Sequence, residues 1–176
     1  MSLKKLEYGE IKLRPLEPED IDLLYEWEND MTIWEVSNTL VPFSRYILEQ
    51  YILNSKQDIY ESKQLRLIIE TQAGQAVGAV DLFDFDPFHQ RAGVGILIHN
   101  VSERRKGFAH DALVLLCQYA NEILQLHQLY ANISNDNSAS IHLFEKCGFE
   151  FAGCKKDWIR SGKTWKDELI YQKIFR

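Results

Sequence analysis

The chain has 176 residues, 45% of them apolar and 26% charged, which fits one globular domain over residues 1–176 and is short for two. Its net charge of −6 argues against a nucleic-acid partner, because phosphate binding depends on lysine and arginine. No apolar run is long enough to span a bilayer, and MSLKKLEYGE lacks the apolar segment of a secretory signal, so we expect no membrane partner. The three cysteines have no metal-type spacing and indicate reduced thiols in a cytoplasm.

The N-terminal part of the chain predicts one strand and two helices around an aromatic loop. Residues 10–16, EIKLRPL, alternate like a strand. Residues 18–30 open with a proline and acidic side chains, which favour a helix start. Residues 44–55 form a second predicted helix with Ser44 as its N-cap. Between the two helices, residues 31–43 (MTIWEVSNTLVPF) predict a loop.

The rest of the chain alternates strands with helices. A helix is predicted after Gly107, on an apolar stripe that runs to about Leu124, and a shorter one ends at Gly148, a C′ glycine. The predicted strands cover residues 64–70, 76–85, 91–98, 127–134, 148–160 and 167–175. The order β α α β β β α β α β β predicts an α+β domain of three layers with one central mixed, largely antiparallel sheet.

Three basic residues and a glycine stand directly ahead of the longer helix, in the segment ERRKGFAHDAL. A helix N-terminus exposes about four unpaired N–H groups and carries roughly half a positive charge, and glycine lets a ligand approach the backbone. With Arg104, Arg105 and Lys106 beside them, these groups predict an anion site suited to a pyrophosphate. A solvated basic turn is the alternative interpretation.

Two motifs resemble those of the GNAT acyltransferase family. The segment RRKGFA, between a strand and a helix, resembles the R/Q-x-x-G-x-G/A signature, and NSASIHLFEKCGF (137–149) resembles the second motif, N-x-x-A/S-x-x-x-Y-x-x-x-G-F. The predicted element order also matches, so the resemblance covers nearly the whole chain. The nearest likeness is to bacterial spermidine and ribosomal-protein N-acetyltransferases, on KLRPLEPEDID, KGFAHDAL and the closing GFEF followed by G-x-x-W.

The resemblance implies acetyl-CoA as co-substrate and no metal. The acetyl-CoA arm would lie between two parallel strands, at residues 95–99 and 129–134, that splay apart. A backbone N–H of Leu97 or Ile98 would polarise the thioester carbonyl as an oxyanion-hole donor. The other residues implied to hold the co-substrate are Arg104, Arg105, Lys106, Gly107, Phe108, Ala109, Asn137 and Phe144.

The resemblance also implies direct attack by an amine on the thioester. The amine must lose a proton, since a free alkylammonium has a pKa near 10, and the thiolate must gain one. Many relatives protonate the sulfur with a tyrosine of the second motif; this chain has Phe144, which has no proton to give, and Tyr130 is an alternative donor. The candidate bases are Asp81 and Glu35, with Asp84 and Glu168 as further alternatives and His89 as a candidate proton relay.

The implied function is an acetyl-CoA-dependent N-acetyltransferase of a primary amine. Together with the resemblance, the net charge of −6 favours a small-molecule acceptor such as the polyamine spermidine. Acetylation of a protein N-terminus or lysine is the alternative within the class. A non-catalytic acetyl-CoA-binding sensor is a second class, which Phe144 keeps open. Relatives are often dimers or larger, so a homo-oligomer is compatible. Residues 167–175 are a candidate interface strand, with an intact edge of the intramolecular sheet as the default alternative.

Overall fold

A computed structural model describes residues 6–37, 39–55 and 58–176. The strands are β1 (Glu7–Tyr8), β2 (Ile11–Pro15), β3 (Leu65–Thr71), β4 (Ala76–Asp86), β5 (Arg91–Ile98), β6 (Gln128–Ser134), β7 (Glu150–Ser161) and β8 (Thr164–Ile174). The helices are α1 (Ile21–Glu28), α2 (Trp34–Ser37), α3 (Arg45–Asn54), α4 (Ile59–Ser62), α5 (Phe108–Glu122) and α6 (Ser138–Lys146), with 3₁₀ turns at Pro18–Asp20 and Val101–Glu103. None of the helices in these ranges is long and apolar enough to cross a membrane.

The strands form one mixed sheet in the order β1-β2-β3-β4-β5-β6-β8-β7. Within the described part of the chain, β5 and β6 are the one parallel pair, and every other neighbouring pair is antiparallel. This confirms the predicted mixed, largely antiparallel sheet. Because β8 lies between β6 and β7, the backbone is already paired on both sides over residues 168–172, the centre of the predicted strand 167–175. The suggestion that this strand pairs across an interface is therefore wrong; the strand belongs to the intramolecular sheet, as the default alternative had it, but lies inside the sheet and not at its edge.

Two hydrophobic clusters cover the two faces of the sheet. Successive side chains of a strand point to opposite faces: in β3, Leu67 and Ile69 belong to the cluster that contains α5, whereas Ile68 packs with α1 and α3. The α5 cluster includes buried Leu113 and Leu116. This arrangement confirms the three layers that the sequence predicts.

The structure differs from the predicted secondary structure mainly in short helices and strands that were not predicted. One turn of helix, α2, lies within the predicted loop 31–43, and β1 and α4 were not predicted. Elements of two to four residues span about one period, and an apolar pattern needs several periods to be recognised. The long helix ends at Glu122 rather than near Leu124. The Ser44 N-cap is confirmed, since its side chain accepts a hydrogen bond from the Ile47 N–H at 3.2 Å.

The parallel pair β5–β6 comes apart part-way along its length. Pairing covers only Arg91, Ala92 and Gly93 of β5, the last opposite Tyr130. Beyond that point β5 stays paired with β4 as far as Ile98, and β6 stays paired with β8 through its end. The C-terminal halves of the two strands therefore diverge within one sheet, which confirms the expected splay and opens a gap.

Candidate active site

The gap between β5 and β6 widens into a cleft of about 700 Å³. One wall is made by residues 94–97 of β5 and 132–134 of β6, continued by Ser140 and Phe144 of α6 and its N-cap Asn137. The charged residues that line the cleft are Glu28, Glu35, Arg66, Asp81, Asp136, Lys166 and Glu168. In an α/β sheet, such a crevice beyond the carboxyl ends of diverging strands is a usual place for a ligand.

The basic loop leads from the end of β5 to the first turn of α5. Gly107 is the N-cap of α5 with φ +92°, a left-handed conformation that a side chain would strain. Arg104 ties the loop to the strand, because its Nε donates to the Ile98 carbonyl at 3.0 Å. Phe108 and Ala109 are half-buried and pack against the core. The first N–H groups of α5 are thus held at a glycine beside exposed cations, which fits a pyrophosphate.

The backbone polar groups of Leu97 and Ile98 face opposite sides of β5. The His99 N–H donates to the carbonyl of Val77 in β4 at 3.1 Å, and N–H groups alternate in direction along a strand. The Leu97 N–H therefore points toward β4, as its carbonyl does beside Gly78. The Ile98 carbonyl faces the other way, toward Arg104. Because the directions alternate, the N–H groups of Ile96 and Ile98 face the gap between β5 and β6. These two residues are therefore favoured over Leu97 as N–H donors to a ligand there.

The second motif, residues 137–149, covers the whole of α6 with its N-cap. Asn137 is the N-cap, and its Oδ1 accepts a hydrogen bond from the Ser140 N–H at 3.1 Å. Phe144 is buried, meets Phe149 edge to face with ring centroids 4.9 Å apart, and also lines the cleft. An apolar ring therefore stands where many relatives have a tyrosine hydroxyl.

A first carboxylate pair, Glu28 and Asp81, shares one guanidinium. Arg66 donates its Nε to Asp81 Oδ1 at 2.7 Å and a second N–H to Oδ2 at 3.2 Å, and also bonds Glu28. Asp81 stands opposite Gly95 in the β4–β5 ladder. A Cβ added to Gly95 would meet only the Asp81 Cβ, at 3.9 Å, so space for a ligand lies beside this carboxylate.

A second carboxylate pair, Glu35 and Asp136, shares one ammonium. Lys166 Nζ lies 2.6 Å from Glu35 Oε1 and 2.8 Å from Asp136 Oδ2, and the Ser161 hydroxyl donates to Glu35 at 2.8 Å. The hydrogen bonds from Lys166 and Ser161 hold the pKa of Glu35 below its ordinary value. A carboxylate in this environment is suited to attracting a cation and is a weak proton acceptor.

Two residues that line the cleft were ranked low or not proposed as functional residues from the sequence. Glu168, the last of the alternative bases, is buried at the cleft and accepts a hydrogen bond from Lys155 at 2.8 Å. His99 was missed altogether; it follows β5, lines the cleft and stacks on Trp27 with centroids 4.1 Å apart. Its place just after the β5 apolar run and before the basic loop was the signal that could have found it.

The remaining acid–base alternatives lie outside the cleft lining. Asp84 is exposed and accepts a hydrogen bond from the Tyr130 hydroxyl at 3.3 Å. Burial, with the nearby Asp84 charge, raises the pKa of Tyr130, which makes its hydroxyl a weaker acid. His89 is exposed in the β4–β5 turn, where its N–H donates to Asp86 at 3.0 Å. None of these three borders the space between the splayed strands.

Residues 10–150 match the acetyltransferase (GNAT) domain family. This chain belongs to that family. The GNAT protein is accordingly an N-acetyltransferase that uses acetyl-CoA as its acyl donor, as the two motifs implied. It is 30% identical over 146 residues to the spermidine N(1)-acetyltransferase of Escherichia coli strain K12, an alignment that covers 81% of this chain and 74% of the relative. The Vibrio cholerae enzyme of the same name is 26% identical over 144 residues, covering 80% and 79%.

Solved structures share the fold of this GNAT protein. The crystal structure of spermidine N-acetyltransferase from Vibrio cholerae in complex with CoA and spermine superposes with a TM-score of 0.83 at 24% identity, over 95% of this chain and 96% of that one. A dodecameric structure of the Vibrio enzyme superposes with a TM-score of 0.79, over 95% of both chains. The predicted fold class is therefore confirmed.

Proposed function

We propose that this GNAT protein transfers the acetyl group of acetyl-CoA to a primary amine of a polyamine such as spermidine. The observation that carries the proposal is the charge of the cleft. Among the described residues, five carboxylates and two cations line it, a net formal charge of −3. A protonated amine is attracted to such a cleft, whereas a phosphate or carboxylate acceptor is repelled. The spermidine N-acetyltransferases among its relatives agree with this substrate class.

The arrangement of these charges favours an acceptor with more than one ammonium group. In each of the two carboxylate pairs, two carboxylates share one cation, which leaves one net negative charge beside Arg66 and another beside Lys166. A polyamine carries ammonium groups separated by flexible methylene chains and can match separated negative sites. A monoamine can satisfy only one of them.

The proposed chemistry uses the residues around Gly95. The amine nitrogen attacks the acetyl carbonyl, the C–S bond breaks, and CoA leaves as a thiolate. Asp81 accepts the proton that the amine loses, while the N–H groups of Ile96 and Ile98 bind carbonyl oxygens of the thioester and the pantetheine arm. Positioning both substrates in one cleft supplies a large part of the rate. Because Phe144 has no hydroxyl, solvent protonates the thiolate.

An assay with a panel of acceptor amines tests this proposal. The purified protein is mixed with acetyl-CoA and the release of CoA thiol is followed with spermidine, spermine, putrescine, n-butylamine, amino acids and short peptides with free N-termini. We expect kcat/KM to rise from the monoamine to the polyamines. We also expect it to fall at about 1 M salt, where the Debye length is about 3 Å. Mass spectrometry of the acceptor confirms addition of one acetyl group.

Other outcomes of the panel contradict the proposal in distinct ways. Turnover of peptides alone indicates an enzyme that acetylates proteins. Binding of acetyl-CoA without turnover of any amine favours the sensor interpretation. A homo-oligomer remains a prediction from the sequence.

Lys166 is expected to compete with the acceptor for the second carboxylate pair. Replacing it in Lys166→Met removes this internal ammonium and leaves Glu35 and Asp136 free for a substrate ammonium. We expect the KM for spermidine to fall roughly threefold to tenfold at low salt, with little change for n-butylamine. Steady-state kinetics at saturating acetyl-CoA measures both values.

Lys163 provides the control for this substitution. It is an exposed lysine between the paired strands β7 and β8, so Lys163→Met makes the same change of net charge away from the cleft. A KM for spermidine that rises in Lys166→Met, or that falls equally in both variants, contradicts competition at this site.

A further inference from the structure

His99 is held rigidly at the cleft by its neighbours. Its ring stacks on Trp27 of α1 with an interplanar angle of 4°, and its backbone N–H is bonded to Val77. Because side chains alternate along a strand, His99 continues the face of β5 that carries Gly95 and Leu97. The imidazole therefore has a fixed plane beside the space that the acyl-CoA arm is expected to occupy.

The buried nitrogen of His99 determines which nitrogen carries the proton. Nδ1 is buried and has no hydrogen-bond partner among the described residues. A buried N–H without an acceptor is rarer in proteins than a buried acceptor without a donor. The neutral ring is therefore best accommodated with its proton on Nε2, which leaves Nε2–H as the donor for a partner in the cleft.

The charges around His99 keep the ring neutral. Burial lowers its pKa to about 4, with the positive charge of Arg66 as the next cause. Arg104 acts in the same direction, and Asp30 opposes them. At neutral pH the imidazole is thus an uncharged donor. A neutral histidine held in this way can polarise a carbonyl without carrying the charge that would repel a cationic acceptor.

We propose that His99 is an acyl-CoA-binding residue whose Nε2–H donates a hydrogen bond to a carbonyl oxygen of the thioester or pantetheine arm. The chemistry of the two substrates decides between them. A protonated polyamine has N–H donors only and offers no acceptor for an N–H group. Acetyl-CoA carries carbonyl oxygens along the arm that enters the gap between β5 and β6. His99 therefore recognises the donor substrate, on the face of β5 that carries Gly95 and Leu97.

The test compares His99→Phe with His99→Gln. Phenylalanine keeps an aromatic ring on Trp27 and removes the donor, whereas glutamine supplies a side-chain N–H. We expect His99→Phe to weaken acetyl-CoA binding about tenfold, the loss of one good hydrogen bond. His99→Gln is expected to recover a large part of this affinity, and the KM for spermidine to stay nearly unchanged. Isothermal titration calorimetry with acetyl-CoA measures binding, and circular dichroism verifies that both variants fold.

This inference rests on the proposed function only for the identity of the acceptor. Calorimetry needs no amine, so it tests His99 even if every amine of the panel proves inactive. Acetyl-CoA affinity equal to that of the unmodified protein in His99→Phe overturns the proposal, as does an equal loss in both variants. A rise in the KM for spermidine with unchanged acetyl-CoA affinity also overturns it and assigns His99 to the acceptor.

Discussion

Asp81→Asn is expected to lower kcat about 100-fold, the lower range for loss of a general base, while acetyl-CoA still binds. The amide keeps the size of the side chain and one oxygen for a hydrogen bond from Arg66. Its NH2 group cannot accept the second of these bonds, and the side chain cannot take a proton from the attacking amine. Asp81 lies beside the open space at Gly95 and is oriented by two N–H groups of Arg66. The measurement is kcat with spermidine as acceptor, with acetyl-CoA affinity determined separately by calorimetry.

Asp84→Asn is the matched control, because it removes a carboxylate from the same strand. Asp84 is exposed and outside the cleft lining, so its substitution should change kcat by less than about twofold. If Asp81→Asn instead keeps its kcat and raises only the KM for spermidine, Asp81 binds an ammonium group and the base lies elsewhere. Glu168, buried at the cleft, would then be the next candidate.

Gly78→Ala is expected to destabilise the fold by about 3 kcal/mol, at the upper end for overpacking. A Cβ on Gly78 would lie 2.2 Å from the Leu97 carbonyl oxygen and 3.0 Å from the Ile98 Cα. Both atoms belong to the backbone of β5 and cannot rotate away. The strands β4 and β5 must therefore separate at the Gly78–Ile98 pair, in the part of β5 that has already left β6, which should also weaken acetyl-CoA binding. Urea unfolding gives the free energy, provided that the m-value is unchanged.

Gly153→Ala makes the same chemical change where space exists. The nearest atom to its Cβ would be the Ile170 Cδ1 at 4.0 Å, an ordinary van der Waals contact, so we expect a change within about 0.5 kcal/mol. Equal stability of the Gly78 and Gly153 variants would show that β5 adapts to the added methyl group and that the close approach is not required.

Local patterns predicted the parts of the molecule that local interactions control. The strand predicted at residues 91–98 matched β5 residue for residue, and Gly148 has the expected positive φ of +82°. Helix α5 begins directly after Gly107, as the basic segment indicated. Short elements such as α2 and α4 were missed, because one turn of helix depends on caps and tertiary contacts more than on periodicity.

The candidate acids show more clearly what local sequence leaves open and tertiary structure decides. Asp81, Asp84 and Glu35 cannot be distinguished by their local sequence, since each follows or interrupts an apolar segment. In the fold, Asp81 faces the cleft beside Arg66, Asp84 is exposed beside Tyr130, and Glu35 is paired with Lys166. Partners 15, 46 and 131 residues away in sequence decide these environments, and no local pattern contains them.

The sequence by itself determined the family, the donor substrate and the layered α+β architecture, because two spaced motifs and the apolar periodicity are properties of contiguous segments. Tertiary structure alone decided which backbone N–H groups face the gap, with Ile96 and Ile98 favoured over Leu97. It also decided which cations the carboxylates share, and that His99 stands at the cleft. The physical reason is register: a shift of one residue in strand pairing reverses the direction of every side chain and N–H group, and register is set by contacts between segments far apart in the chain.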